Sequence, residues 1–146
     1  MAEAFKQDQW SFDMIVIVLL IMAGLILPII LIPLIKVIGF SEIVEEIAKA
    51  GIVLFLTLKL STTKKKILFG LLFGFLFSLS EALFYLTNIF ELENFSLFWQ
   101  RIFETVPMHM VTVLIILFSG LVKKRFVVFG LIAAILFHLF FNSIAA

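Results

Sequence analysis

Five long apolar segments follow one another along the chain, separated by short polar stretches, and predict five transmembrane helices. We expect these helices at about residues 14–38, 41–60, 67–90, 101–122 and 126–145. Each segment is close to the roughly 20 residues that a helix needs to cross a bilayer. Pro28 and Pro33 predict a kink in the first helix. Ser41 is expected to be the N-cap of the second helix.

The second helix carries an unusual polar stripe. At 100° per residue, Glu42, Glu45, Glu46 and Lys49 fall within about 100° of arc. A charged side chain deep in a bilayer costs roughly 2.5 to 3.5 kcal/mol on insertion scales. The stripe is therefore expected to face other helices rather than lipid.

The three following helices have a similar polar face. Its members are Gly70, Gly74, Ser78, Glu81, Tyr85 and Asn88, then Arg101, Thr105, His109 and Thr112, then Gly130, Ala134, His138 and Asn142. Small residues on such a face allow close approach of helix backbones. Counting about 1.5 Å per residue from the outer helix ends places the ionisable groups in one layer, roughly 6 to 14 Å below the surface. We expect carboxylates, imidazoles and an amide to meet there.

The composition indicates one all-α, polytopic membrane domain. Of the 146 residues 64% are hydrophobic, 19 are Phe and only 14% are charged, which excludes an ordinary soluble protein. The net charge of +1 gives no indication of a nucleic-acid partner, and the absence of cysteine excludes thiolate chemistry. We expect a single domain over 1–146, with an N-terminal segment (1–13), a peripheral helix (14–38) and a four-helix core (41–145).

Two short basic runs, 64–66 and 123–125, predict the orientation in the cell membrane. Both fall in loops on the same side of a five-helix alternation. Because positively charged short loops stay cytoplasmic, the N-terminus is predicted inside, and the C-terminus and the polar layer at the outer side.

The order and spacing of the polar residues resemble the motifs of the PrsW family. The motifs are Glu45-Glu46-x-x-Lys49, Glu81-x-x-x-Tyr85, Arg101 with His109, and His138-x-x-x-Asn142, spread over about residues 41–145. That family is grouped with the CAAX prenyl endopeptidases and the Abi bacteriocin-immunity proteins. Ala50 stands where the CAAX branch has Arg, and Glu81 where it has Phe. The resemblance to PrsW is therefore closer than the resemblance to prenyl-protein processing enzymes.

This resemblance implies a metal-independent glutamic intramembrane protease without cofactors. Its partners would be the bilayer and membrane-embedded peptide or single-pass protein substrates, since relatives of this kind act on anti-sigma factors or small membrane peptides. The implied catalytic residues are Glu45, Glu46, Glu81, His109, His138 and Asn142, and the supporting residues are Lys49, Tyr85 and Arg101.

The resemblance implies two groups of catalytic residues, one that activates water and one that faces the oxygen of the peptide bond being cleaved. Glu45 or Glu46 would activate water with the help of Glu81 and His109, while His138 and Asn142 would face the developing oxyanion. Two adjacent carboxylates in a low-dielectric site are difficult to ionise together, which suits one of them to act as a general base.

Three alternatives use the same polar residues. A noncatalytic scaffold would keep the pocket without turnover. A proton-coupled transporter would use the Glu and His groups as a relay, although the uncharged cytoplasmic halves of the third and fifth helices disfavour it. Two Glu and two His could also bind zinc.

Overall fold

The computed structural model describes the backbone of residues 2–91 and 95–145, with the side chains of 12–84, 86, 96 and 98–144. Over these ranges the chain is all-α, as predicted. The helices are α1 (Ala2–Ile38), α2 (Ser41–Lys59), α3 (Thr63–Glu91), α4 (Phe95–Val122) and α5 (Val127–Ala145), and a short 3-10 turn, Lys124–Phe126, leads into α5.

Four helices of the described chain are long and apolar enough to cross a membrane. The qualifying segments are 12–38, 63–84, 98–122 and 124–144. The protein is therefore an integral membrane protein. The helix that does not qualify is α2, whose first half carries three glutamates and a lysine, so the fifth predicted span stays a prediction.

The start of α2 differs from the prediction, because Ser41 is not its N-cap. Phe40 takes that position in the left-handed region, at φ 52°, after Gly39 at φ 72°. The carbonyl oxygen of Phe40 accepts hydrogen bonds from the backbone N–H groups of Ile43 and Val44, at 3.1 and 3.2 Å. Only two residues, Gly39 and Phe40, connect α1 and α2, and Phe40 has no side-chain oxygen that could cap the helix. The Ser41 hydroxyl donates to the carboxylate of Glu42 and does not cap a backbone N–H group.

Three helices begin earlier than the hydrophobic pattern indicates. Helix α1 already starts at Ala2, α3 at Thr63 and α4 at Phe95. At α3 the Thr62 hydroxyl accepts a hydrogen bond from the backbone N–H of Lys65 at 3.3 Å, and this side-chain cap draws the basic run 64–66 into the helix. These helices therefore include residues ahead of the predicted apolar segments, and the predicted segments lie inside them.

Small residues set the helix packing. A Cβ on Gly74 of α3 would lie 3.1 Å from the carbonyl oxygen of His109, and one on Gly130 of α5 would lie 3.0 Å from the Cα of Ile116. Helix α4 therefore packs closely between α3 and α5. The predicted peripheral helix, α1, packs along α3, where the Ser80 hydroxyl donates to the carbonyl oxygen of Leu25 at 2.7 Å.

An apolar core fills the half of the bundle toward the basic turns. Its buried side chains include Val53, Leu56, Phe69, Phe73, Val113, Ile116, Leu117, Val127 and Ala134. Large apolar residues also cover the outer faces of the helices, as expected for lipid contact. The polar faces meet in the other half, around the first turns of α2.

Candidate active site

Lys49 joins three helices at the centre of the site. Its Nζ lies 2.6 Å from Oε1 of Glu46, on the same helix, and 2.6 Å from Nδ1 of His109, on α4. All three side chains are completely buried. The ammonium group also lies 4.7 Å from the ring centre of Phe77 on α3. Lys49 thus pairs with Glu46 and leaves Glu45 outside this ion pair.

The position of Lys49 fixes the tautomer of His109. An ammonium group can only donate, so Nδ1 of His109 accepts and Nε2 carries the ring hydrogen. That Nε2–H donates to Oε2 of Glu81 at 2.6 Å. The other oxygen of Glu81, Oε1, lies 3.6 Å from Nη2 of Arg101. Glu81 is therefore held from two sides by α4.

Helix α5 adds two further pairs with α2. Nδ1–H of His138 donates to Oε1 of Glu46 at 2.9 Å, and Nδ2 of Asn142 donates to Oε1 of Glu42 at 2.9 Å. Because a carboxylate only accepts, His138 keeps its Nε2 for other partners. The predicted convergence of four helices on one layer is therefore observed.

Glu45 has a different environment from its neighbour Glu46. Its Oε2 is buried and has no hydrogen-bond partner among the described residues. Oε2 of Glu46 is also unpartnered, but Oε1 of Glu46 is shared by Lys49 and His138. Buried carboxylate oxygens without a partner are costly, and where they persist a catalytic role, a bound water or an ion can account for them. Glu45 also borders open space, whereas Glu46 is enclosed.

That open space is a cavity of about 290 Å³ between α1, α2, α3, α4 and α5. Its lining residues are Pro28, Ile32, Ile35, Lys36, Ser41, Glu45, Glu81, Phe84, Arg101, Thr105, Met108, His138 and Asn142. Glu45, Glu81, His138 and Asn142 form a polar part of this lining, and apolar residues of α1 form another part. The cavity has room for a water molecule beside a substrate group.

Comparison with known families gives a match over almost the whole chain. The model of the PrsW family intramembrane metalloproteases covers residues 14–146. The chain belongs to the PrsW family. No curated protein and no solved structure gives a significant match. The family supports an intramembrane protease, so the PrsW cavity is its candidate active site.

The name of this family implies a metal ion, and one set of side chains has suitable donor atoms. Ligand atoms of Glu45, Glu81 and His109 lie within 4.8 Å of one another. However, a metal ligand must offer a lone pair, and the one lone pair of His109 already accepts from the ammonium of Lys49 at 2.6 Å. The hydrogen on Nε2 points to Glu81 instead. As arranged, these PrsW residues do not fit a divalent cation.

Most of the sequence-predicted site residues meet in or beside this cavity. Glu46, Lys49 and His109 do not line it, because all three side chains are completely buried behind it. The side chain of Tyr85 lies outside the described residues, so its supporting role remains a prediction.

Sequence reasoning missed the partner of Asn142 and the contribution of α1. The sequence places Glu42 on the polar stripe but indicates no partner for it. Its spacing to Glu46 equals the spacing of His138 to Asn142, and this match could have indicated two successive pairs between antiparallel helices. No sequence signal indicates that the apolar residues of α1 form a cavity wall.

Proposed function

We propose that the protein hydrolyses peptide bonds in or near membrane-embedded segments, with Glu45 as the base that activates water and without a metal. The observation that carries the proposal is the contrast between two adjacent carboxylates. Glu45 lines the cavity and has no ion-pair partner among the described residues, whereas Glu46 is held by Lys49 and His138 and does not line the cavity. A base needs access to water, and the position of Glu45 supplies it.

In the proposed reaction the carboxylate of Glu45 removes a proton from water while the water oxygen attacks the carbonyl carbon of the substrate. The carbonyl oxygen becomes an oxyanion, which Asn142 and a protonated His138 stabilise by donating N–H groups. The proton held by Glu45 then passes to the amine nitrogen as the carbon–nitrogen bond breaks. The products are a carboxylic acid and an amine, and Glu45 is again a carboxylate.

Glu81 holds the attacking water, and His109 acts on the water through Glu81. The Nε2–H of His109 and the guanidinium of Arg101 orient the two oxygens of Glu81. Lys49 in turn holds His109 in the tautomer that donates to Glu81. Such indirect partners fix the geometry that a proton transfer requires.

Substrates enter from lipid and from the outer face of the cell membrane. The apolar wall of α1 accepts a membrane-embedded segment, while the polar floor faces the scissile bond. The basic turns at the other end of the bundle favour a cytoplasmic position for that end, which supports an outer position for the cavity mouth.

The test is cleavage of a panel of single-pass membrane peptides by the purified protein. Glu45→Gln is expected to lower kcat/KM by about 10²- to 10⁴-fold, the usual contribution of a general base. His138→Ala should lower kcat/KM as well, through loss of an oxyanion donor. Products are measured by mass spectrometry, which also identifies the bond that is cleaved.

Glu104→Gln is the matched control, because Glu104 accepts a hydrogen bond from Gln100 on the surface of α4 and does not line the cavity. Its activity should equal that of the wild type. Unchanged cleavage by Glu45→Gln would contradict the assignment of Glu45 as the base.

A further inference from the structure

The cavity has a basic residue on its rim that the proposed chemistry does not use. Lys36 lies in the last turn of α1 and lines the cavity together with Ser41, just across the Gly39–Phe40 turn. Its side chain is exposed, whereas Glu45 below it is only 9% exposed. Lys36 is therefore at the mouth and Glu45 at the floor.

Two of the carboxylates near the cavity are paired with cations within the protein. Glu46 is paired with Lys49, and Glu81 lies between His109 and Arg101. By contrast, the ammonium group of Lys36 makes no ion pair or hydrogen bond to any described residue. A cation at the entrance that has no partner among the described residues favours a ligand group of negative charge.

Apolar residues flank this cation. Pro28, Ile32 and Ile35 extend from Lys36 along α1 and form the cavity wall, with Phe84 opposite on α3. A chain that lays apolar side chains along this wall would bring the residue at its polar end to the ammonium group. The guanidinium of Arg101, which is 39% exposed and pairs with Glu81, lines the same cavity.

From this arrangement we propose that Lys36 is a specificity residue that binds a carboxylate of the substrate near the scissile bond. The substrate class is an apolar membrane segment with an acidic side chain, or a free C-terminal carboxylate, at its outer end. This proposal rests on the proposed protease function and names the substrates that the same site prefers.

The test compares single-pass peptides that differ only at one position beside the cleaved bond, carrying Glu, Gln or Lys. Wild type should cleave the Glu peptide with a kcat/KM about fivefold above that of the Gln peptide, as expected for a partly exposed ion pair. In Lys36→Gln this ratio should fall to about one, and Lys36→Glu should prefer the Lys peptide.

Lys59→Gln is the matched control, since Lys59 is an exposed lysine at the far end of α2 that does not line the cavity. It should keep the wild-type ratio. A second peptide pair, with a free or an amidated C-terminus, distinguishes a terminal carboxylate from an acidic side chain. A ratio near one in the wild type, or one that Lys36→Gln leaves unchanged, overturns the proposal and makes Lys36 a membrane-interface anchor.

Binding separates this inference from the proposed reaction. Fluorescence anisotropy of labelled peptides on Glu45→Gln protein needs no turnover, and the Glu peptide should bind about fivefold more tightly than the Gln peptide. Binding preference without cleavage by the wild type would contradict the protease function and support the role of Lys36. Cleavage without any preference for the Glu peptide would support the protease function and contradict the role of Lys36.

Discussion

The two halves of the same four helices are held together in different ways. In one half, side chains such as Leu56, Phe73 and Ile116 pack against each other, and Gly130 lets the helices approach closely. In the other half, a chain of hydrogen bonds passes from His138 through Glu46, Lys49 and His109 to Glu81. The packing of the first half depends on the complementary shapes of apolar side chains, while the second half depends on specific hydrogen-bond partners.

This difference has a physical cause: within a membrane, the hydrophobic effect does not drive apolar helices together as it does in water. Apolar side chains gain little by leaving lipid for a protein interior, so the apolar half depends on close packing. Charged side chains lose far more if they face lipid, so they collect inside and satisfy one another. Among the described residues, Glu45 combines a place in the cavity lining with a buried carboxylate oxygen that has no partner, as the proposed base would.

The largest expected effect comes from breaking the polar half at its centre. Lys49→Met keeps the volume but leaves Glu46 and His109 without their shared donor. Removing one partner of a buried pair costs about 3 to 5 kcal/mol. Unfolding in mixed micelles with increasing SDS should show this loss, while Lys59→Met, at the exposed end of α2, should stay close to wild type. Equal stability of the two variants would contradict the central role of Lys49.

A smaller effect is expected from opening a space in the apolar half. Leu56 is completely buried, and Leu56→Ala should lower the free energy of unfolding by about 2 kcal/mol, mainly through lost contacts. The cleavage site and kcat/KM of the remaining folded protein should not change, because the cavity lies in the other half. A shifted cleavage site would mean that the two halves are coupled.

Within the polar half, the two adjacent glutamates should differ in stability as well as in activity. Glu46→Gln weakens contacts to Lys49 and His138 and should cost about 1 to 2 kcal/mol. Glu45→Gln removes a buried charge that has no partner at Oε2, so its unfolding free energy should equal or exceed that of the wild type. The same SDS titration measures both, and the reverse order would contradict the division of roles between them.

The smallest expected effect is that of metal removal. Since Lys49 uses the lone pair of His109, incubation with chelators should leave the cleavage rate unchanged within about 20%, well below the tenfold loss typical of perturbed metal sites. Metal analysis of the purified protein should find no stoichiometric divalent ion. Loss of activity on chelation, restored by zinc, would instead support a metalloprotease reading of the Glu45, Glu81 and His109 set.

Much of this protein follows from its sequence because a bilayer leaves few choices. Backbone hydrogen bonds must be made within helices, so long apolar runs determined the helix number and approximate bounds. The cost of charge in lipid determined that Glu46, Glu81, His109 and His138 would face inward. Their shared layer followed from the rise per residue alone.

Only the tertiary structure decided which of these groups meet. Helical periodicity assigns Glu45 and Glu46 to one stripe and does not distinguish them. The position of α5 brings His138 into hydrogen-bonding distance of Glu46, and the position of α4 does the same for His109 and Lys49. The packing of α1 against α3 then closes the cavity with residues that have no polar signal. Which side chains form hydrogen bonds with each other depends on the relative positions of the helices to within a few ångströms. The spacing of residues along one helix does not determine these positions.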